Sequence, residues 1–314
     1  MKNIVQLRRI ISIISVLVPV LTMPANASTV NIFSGSSPIF APVFIADTLG
    51  YFSDEGLDVD VKAFTSGAEA TEGFRAGSAQ FLVAADVPML YLLAGGDARM
   101  VAQFSANPDM LLVIGNQDMK GPEDLVGKKI GLVRKSASEF LLYKHLSKAG
   151  VSLSDVELVN IAPFEQVSAL TNGDVDALSS WKPFDNKIAA LSGNKFHTLS
   201  WNGNDGYILY SGLVVKSDYF AENPDTVEKV VRALTKAANW LSNAAPEEVS
   251  KTLSMYLKNS PDDVSHVIAN NTWDVNVNED VITMMKEIED FLVSLDLIKN
   301  RIDWDSAIDT SFMK

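Results

Sequence analysis

The chain has 314 residues, a formal net charge of −13 at pH 7 and no cysteine. That acidic balance disfavours nucleic acid and anionic membranes as partners. The absence of thiols excludes disulfides, thiolate metal sites, cysteine nucleophiles and a lipid-anchored cysteine.

Residues 1–27 read as a secretory signal. Lys2, Arg8 and Arg9 form a basic start, Ile10–Leu21 an apolar core, and Ala25-Asn26-Ala27 a small-residue cleavage site. The apolar run contains Pro19 and falls short of the roughly 20 residues a spanning helix needs. Cleavage is expected before Ser28, with the mature chain exported to the periplasm. Three basic residues leave with the signal and no acidic one, so the charge moves from −13 to −16. The remaining chain exceeds the usual size of one compact core, which predicts two domains.

From there strands and helices alternate. Thr29–Phe33 reads as a strand ended by Ser34-Gly35-Ser36-Ser37-Pro38, and Phe40–Leu49 as a buried helix stopped by Gly50. Leu57–Phe64 alternates as a second strand, and Ser66-Gly67 opens a helix that reaches Arg75. Phe81–Ala85 is a short apolar strand, followed by a helix from Pro88 to Ala94, and Met100–Gln103 is a further strand. This alternation predicts a parallel sheet.

Met110–Gly115 is apolar again, and Gly121–Leu125 begins a second α/β unit. Lys129–Val133 reads as a buried strand, then Ser136 or Ser138 caps a helix carrying Leu141, Leu142, His145 and Leu146 at helical spacing. A helix start beyond a strand's carboxyl end suits an anion, because its first N–H groups are unpaired and the helix dipole is positive there. Val156–Ile161, Val175–Leu178 and Lys195–Leu199 read as strands, with helices over Phe164–Leu170 and from Phe184 to Leu191. Tyr207–Val215 is long and apolar, as a strand returning to the first unit would be. Two crossing segments, near 113–119 and 203–210, predict a hinge with a cleft between the units.

After Ser217 the pattern is helical. Pro224-Asp225 starts a helix whose Val227, Val230, Val231, Leu234, Ala238 and Leu241 share one face. Pro246 and Pro261 sit where first-turn prolines sit, and Val281–Leu297 is a last amphipathic helix. These helices are expected to wrap the first domain.

No catalytic signature is present. GxSxG, HExxH, GxxxxGK[ST] and GxGxxG are all absent, and His145, His197 and His266 are too scattered for a metal pair. No cofactor is called for.

Several segments together resemble one family. Ala41-Pro42, Gly50-Tyr51-Phe52, Glu55–Val59, Ser66-Gly67, Ala84–Pro88, Pro122–Gly131, Ser136–Leu142, Val156–Pro163, Gly173–Ala177 and Trp181-Lys182-Pro183 carry the likeness. It is similar to the exported solute-binding proteins of ATP-binding-cassette importers for sulfonates, taurine, nitrate and thiamin-pyrimidine precursors, over roughly residues 30–215. The resemblance implies a type II periplasmic-binding fold, α/β in class, with two domains joined by a two-segment hinge around a ligand cleft. It assigns 28–115 and 205–314 to the first domain and 116–204 to the second. It implies a monomer that closes over one small solute and delivers it to a membrane permease with its ATPase, with no catalysis. A sensor or chemoreceptor-docking protein of the same fold is the alternative. A pyrimidine synthase of the related eukaryotic type fits less well, since it relies on a cysteine-rich motif.

The resemblance places ligand contacts at Ser36, Ser37, Phe40, Asp86, Ser136, Ser138, Glu139, Trp181, Asp205 and Tyr207. Several also fit bland roles: Ser36 and Ser37 as turn or cap residues, Asp86 as a helix cap, Trp181 as core filling. Hydroxyls and helix N–H groups suit a sulfonate, whereas Asp86 and Glu139 facing an anion would be strongly unfavourable. A sulfonate, a zwitterion such as taurine and a heteroaromatic ring all remain open.

Overall fold

The computed structural model describes residues 29–313, so the expected signal lies outside the described residues. Ten strands build two five-stranded sheets. They are Val30–Gly35 (β1), Val59–Phe64 (β2), Phe81–Ala85 (β3), Ala98–Asn107 (β4), Leu111–Asn116 (β5), Lys129–Leu132 (β6), Glu157–Asn160 (β7), Ala177–Trp181 (β8), Phe196–Trp201 (β9) and Leu209–Lys216 (β10).

The first sheet has the order β2-β1-β3-β10-β4 and the second β7-β6-β8-β5-β9. Within each, the strands linked by helices run parallel, because a crossover helix returns the chain to the same end of the sheet. The exception is the strand that comes over from the other unit. β10 lies antiparallel between β3 and β4, and β5 lies antiparallel between β8 and β9. Both sheets are therefore mixed, and the two units repeat one plan.

This pairing corrects the expected first boundary. Leu111–Ile114 bond to β8 and β9, so the run that the sequence reading left in the first domain belongs to the second sheet. The crossing is the short stretch 108–110. An apolar run fits either sheet equally well, and only its hydrogen-bond partners decide.

The two crossings are stitched to each other. Asn202 is fully buried, and its Oδ1 accepts from the Leu111 amide at 3.0 Å. Its Nδ2 donates to the carbonyls of Asn107 at 2.8 Å and Tyr207 at 3.0 Å. Beside it the Gly203 amide donates to Pro108 O, and a Cβ on Gly203 would stand 2.6 Å from that oxygen. Only glycine permits so close a backbone approach.

The helix Pro224–Asn243 buries the predicted face of Val227, Val230, Val231, Leu234, Ala238 and Leu241. It packs on the helix Ala41–Thr48 and on β4. The last long helix, Glu279–Ser294, does more than wrap the first unit. It packs on the helix Asp86–Gly95, but its Phe291 ring also lies 5.2 Å from Phe140 and 4.8 Å from Tyr143 in the helix Ala137–Ser147 of the second unit. Among the described residues no helix is long and apolar enough to cross a membrane.

Asn202→Ala strands one buried amide and two buried carbonyls at the crossing. We expect it to lower stability by about 3 kcal/mol or more, at about 1–3 kcal/mol for each of the three unsatisfied buried groups. Urea unfolding checks this, and a change under about 0.5 kcal/mol would show that the stitch carries little.

Candidate functional site: a cleft between the two sheets

A cavity of about 160 Å³ lies between the carboxyl ends of the parallel strands of both sheets. Gly35 ends β1 and Ser36 follows it, Thr65 and Ser66 follow β2, and Ala85 ends β3 on one side. On the other side Val133 follows β6, Pro163 follows β7, and Trp181 ends β8. Open α/β sheets place ligands in this position.

Its walls hold an unusual number of helix starts. Pro38, Gly67, Ala85, Ala137 and Phe184 all line the cavity and stand at or beside helix N-termini. First-turn amides lack an intrahelical acceptor, and the dipoles point their positive ends inward. Each such end favours an anion by about 0.3–1 kcal/mol. The only carboxylate among the described lining residues is Asp263, against the two lysines Lys182 and Lys187. Lys182 is itself paired with Asp109 at 2.9 Å, so net charge fails as a guide here: an acidic chain encloses a cavity whose lining charges nearly balance.

The serines divide by what their hydroxyls already do. Ser136 caps its helix, accepting from the Ser138 amide at 3.2 Å and donating to Val133 O at 2.8 Å. Ser37 begins the turn Pro38–Phe40 but makes no side-chain cap hydrogen bond. Ser66 caps the helix Gly67–Arg75 through Glu69 N at 3.2 Å. Three aromatic rings of the lining form one group. The Trp181 and Phe184 ring centres are 6.1 Å apart, and Phe164 meets Phe184 edge-on at 6.4 Å. Phe164 is 69% exposed although it lines the cavity, so it stands at the mouth.

Of the residues expected from sequence, the structure brings Ser36, Ser37, Phe40, Ser136 and Trp181 to this cavity. The other five lie elsewhere, each for a definite reason. Ser138 is fully buried behind Ser136, and its carbonyl accepts from the Ser179 hydroxyl at 2.7 Å. Glu139 turns back to accept from the Lys135 amide at 2.6 Å, with Arg134 Nε at 2.8 Å. It closes the turn before the helix.

Asp205 is buried in the second crossing, where His145 Nδ1 and Lys148 Nζ each lie 3.1 Å from its carboxylate. Burial opposes its ionisation, but hydrogen bonds from His145, Ser200 and Lys148 outweigh it and hold the carboxyl below its usual range. Tyr207 is fully buried, edge-on to Phe140 at 4.8 Å, and its hydroxyl donates to Asp86 at 2.7 Å. Asp86 also accepts from the amides of Val87 at 2.7 Å and Tyr210 at 3.1 Å. It ties the helix after β3 to the start of β10 and does not line this cavity.

Sequence reasoning missed Thr65, Ser66, Phe164, Phe184, Lys182 and Asp263 on the cavity wall. The strand-end rule could have found Thr65 and Ser66. Asp263 had no signal, because it arrives from a helix far along the chain. No group of three or more acidic or histidine side chains placed to hold a metal occurs among the described residues.

Burial pushes the Asp86 carboxyl up to about 7, although all three of its partners donate to it. A carboxyl raised on folding binds its proton more tightly in the native state, so its ionisation costs stability. The loss grows as pH rises from about 4, the unfolded value, towards about 7, by on the order of 3–4 kcal/mol. Asp86→Asn removes this dependence. We expect the stability of the variant relative to the wild type to improve between those limits, measured by denaturant unfolding. Parallel pH profiles would refute the assignment.

The comparisons with known proteins agree with this geometry. A relative from Bacillus subtilis (strain 168), named provisionally as an aliphatic sulfonates-binding protein, is 28% identical over 89% of this chain and 86% of its own. The taurine-binding periplasmic protein of Escherichia coli (strain K12) is 26% identical over 79% of each chain. The alkanesulfonate-binding protein SsuA of Xanthomonas axonopodis pv. citri, solved bound to MOPS, superposes with a TM-score of 0.77. That match covers 91% of this chain and all of SsuA at 20% identity, and it shows the same periplasmic-binding fold. The NMT1/THI5-like family model matches residues 37–249, more than half of the chain, and the protein belongs to that family.

Proposed function

We propose that this protein is the periplasmic solute-binding component of an ATP-binding-cassette importer. It binds a small sulfonate with an apolar body between its two sheets and delivers it to the membrane permease and its ATPase. The cavity lining carries the proposal: hydroxyls and helix N-termini share it with an aromatic group of Trp181, Phe184 and Phe164. A sulfonate head matches the former, and an alkyl or aryl body packs on the latter. The names of the B. subtilis and E. coli relatives support the ligand class and the compartment.

The cleft lies between domains of 29–107 with 209–313, and 111–201, joined by the two crossings. The protein acts as a monomer and carries its solute unchanged. Asp263 favours a second ligand, taurine, whose ammonium group it would pair.

Calorimetry against alkanesulfonates, arylsulfonates, taurine, nitrate and pyrimidines tests this reading. We expect saturable 1:1 binding of a sulfonate, with the solute recovered intact. Failure of every sulfonate against folded protein, or its turnover, would overturn the proposal.

The two serines separate affinity from stability. Ser37→Ala is expected to weaken sulfonate binding by about 1 kcal/mol with unchanged stability. Ser136→Ala removes a helix cap and is expected to cost about 1 kcal/mol of stability. Trp181→Ala is expected to weaken binding by about 1.5–3 kcal/mol, the scale of one buried aromatic side chain. Equal affinities for Ser37→Ala, Trp181→Ala and the wild type would move the ligand away from this cavity.

A further inference from the structure

We propose that His266 and Asp185 form a latch across the mouth of the cavity, tightened by the imidazole's proton and holding the two walls together. The latch rests on reading the cavity as the ligand site, but its own evidence is separate. Asp185 stands in the first turn of the helix Phe184–Ser192, which follows β8 of the second sheet. His266 stands in the last turn of the helix Pro261–Ile268, which packs on the Pro38–Phe40 turn of the first unit. His266 Nε2 and Asp185 Oδ2 are 2.7 Å apart. Among the described residues this is the one hydrogen bond between the two helices.

Both elements border the cavity. Phe184 and Lys187 flank Asp185, while Asn259 and Asp263 precede His266, and all four line the wall. The pair is half-sheltered, with side-chain exposures of 28% for His266 and 19% for Asp185. Asp185 Oδ1 is buried and has no hydrogen-bond partner among the described residues. The carboxylate therefore depends on His266 when the walls meet, and separating them returns it to water.

The charged side chains on the elements around the pair are Lys187 on the helix of Asp185, Asp262 and Asp263 on the helix of His266, and Glu247, Glu248 and Lys251 on the helix Pro246–Leu257 packed against it. Lys182, at the end of β8, is already held by Asp109 at 2.9 Å, and Asn270 also donates to Asp109, at 2.6 Å. A neutral imidazole with its proton on Nε2 can make the bond. With the Asp185 carboxylate ionised that bond is already charge-assisted, and a protonated imidazole adds an ion pair to it. The joined form gains when the imidazole carries its proton and the carboxylate does not.

The chain has no cysteine, so exposed Ala189 and Lys251, one on each side, can be replaced by cysteine and spin-labelled. Pulsed dipolar spectroscopy then reads the distance between the walls in ligand-free protein at about pH 6 and about pH 8.5, spanning the imidazole range. We expect the ratio of short to long distances to rise at the lower pH by up to about fivefold, the scale of a partly exposed ion pair. His266→Gln and Asp185→Asn should abolish that shift, and His266→Lys, which keeps a charge, should hold the short distance at both values. No shift in the wild type, or the same shift in His266→Gln or Asp185→Asn, would overturn the latch. Ethanesulfonate is the bound-state probe, and its dissociation should slow by a similar factor at the lower pH in the wild type alone. Because the distance is read without ligand, failure of ethanesulfonate to bind counts against the ligand class and leaves the latch to the spectroscopy.

Discussion

Everything about the cavity depends on how two separate sheets are held at their crossings. Asn202 supplies three buried hydrogen bonds to the two chain segments that pass between them. Gly203 lets those segments approach more closely than any side chain would permit. A buried amide with every donor and acceptor used is expensive to disturb. The stitch fixes the crossing, and the carboxyl ends of the parallel strands of both sheets face the cavity beyond it.

Polar groups in this protein sort by distance from that opening. Asp86, Glu139 and Asp205 are all buried, and each is held by partners from its own surroundings: Asp86 by Tyr207 and two amides, Glu139 by the Lys135 amide and an ion pair with Arg134, and Asp205 by His145 and Lys148. They hold elements in place. The cavity takes its polarity instead from hydroxyls and helix starts, groups that carry no full charge. An anion there avoids facing the protein's surplus of carboxylates, which lies elsewhere. The His266–Asp185 contact sits at the boundary between these regimes, sheltered enough to matter and exposed enough to break.

The sequence was most legible where a pattern is local. The strand Phe81–Ala85, the helix starting at Pro224 and its buried face, and the helix starts at Pro246 and Pro261 all follow from periodicity and first-turn prolines. Ser36, Ser37, Ser136 and Trp181 were legible because each lies at a strand's carboxyl end. Asp86 and Glu139 follow strand ends too, but their carboxylates turn to partners within the protein. Backbone position puts a residue near the cleft, but side-chain partners decide which way it points. Tyr207 and Asp205 sit in a crossing segment whose inner and outer faces share one composition.

The sequence by itself determined two α/β units, their helical tail and the serine-rich strand ends, because these depend on spacing along the chain. Only the tertiary structure decided which sheet receives Leu111–Asn116, which carboxylates are used up inside the protein, and that Asp263 and His266 reach the cavity mouth from a distant helix. Those outcomes depend on contacts between residues far apart in the chain, and no local pattern records them. The strand, serine turn and helix at Lys129–Ser147 follow from local spacing, whereas the inequality of the serines is tertiary: Ser136 caps at the wall, and Ser138 is buried behind it.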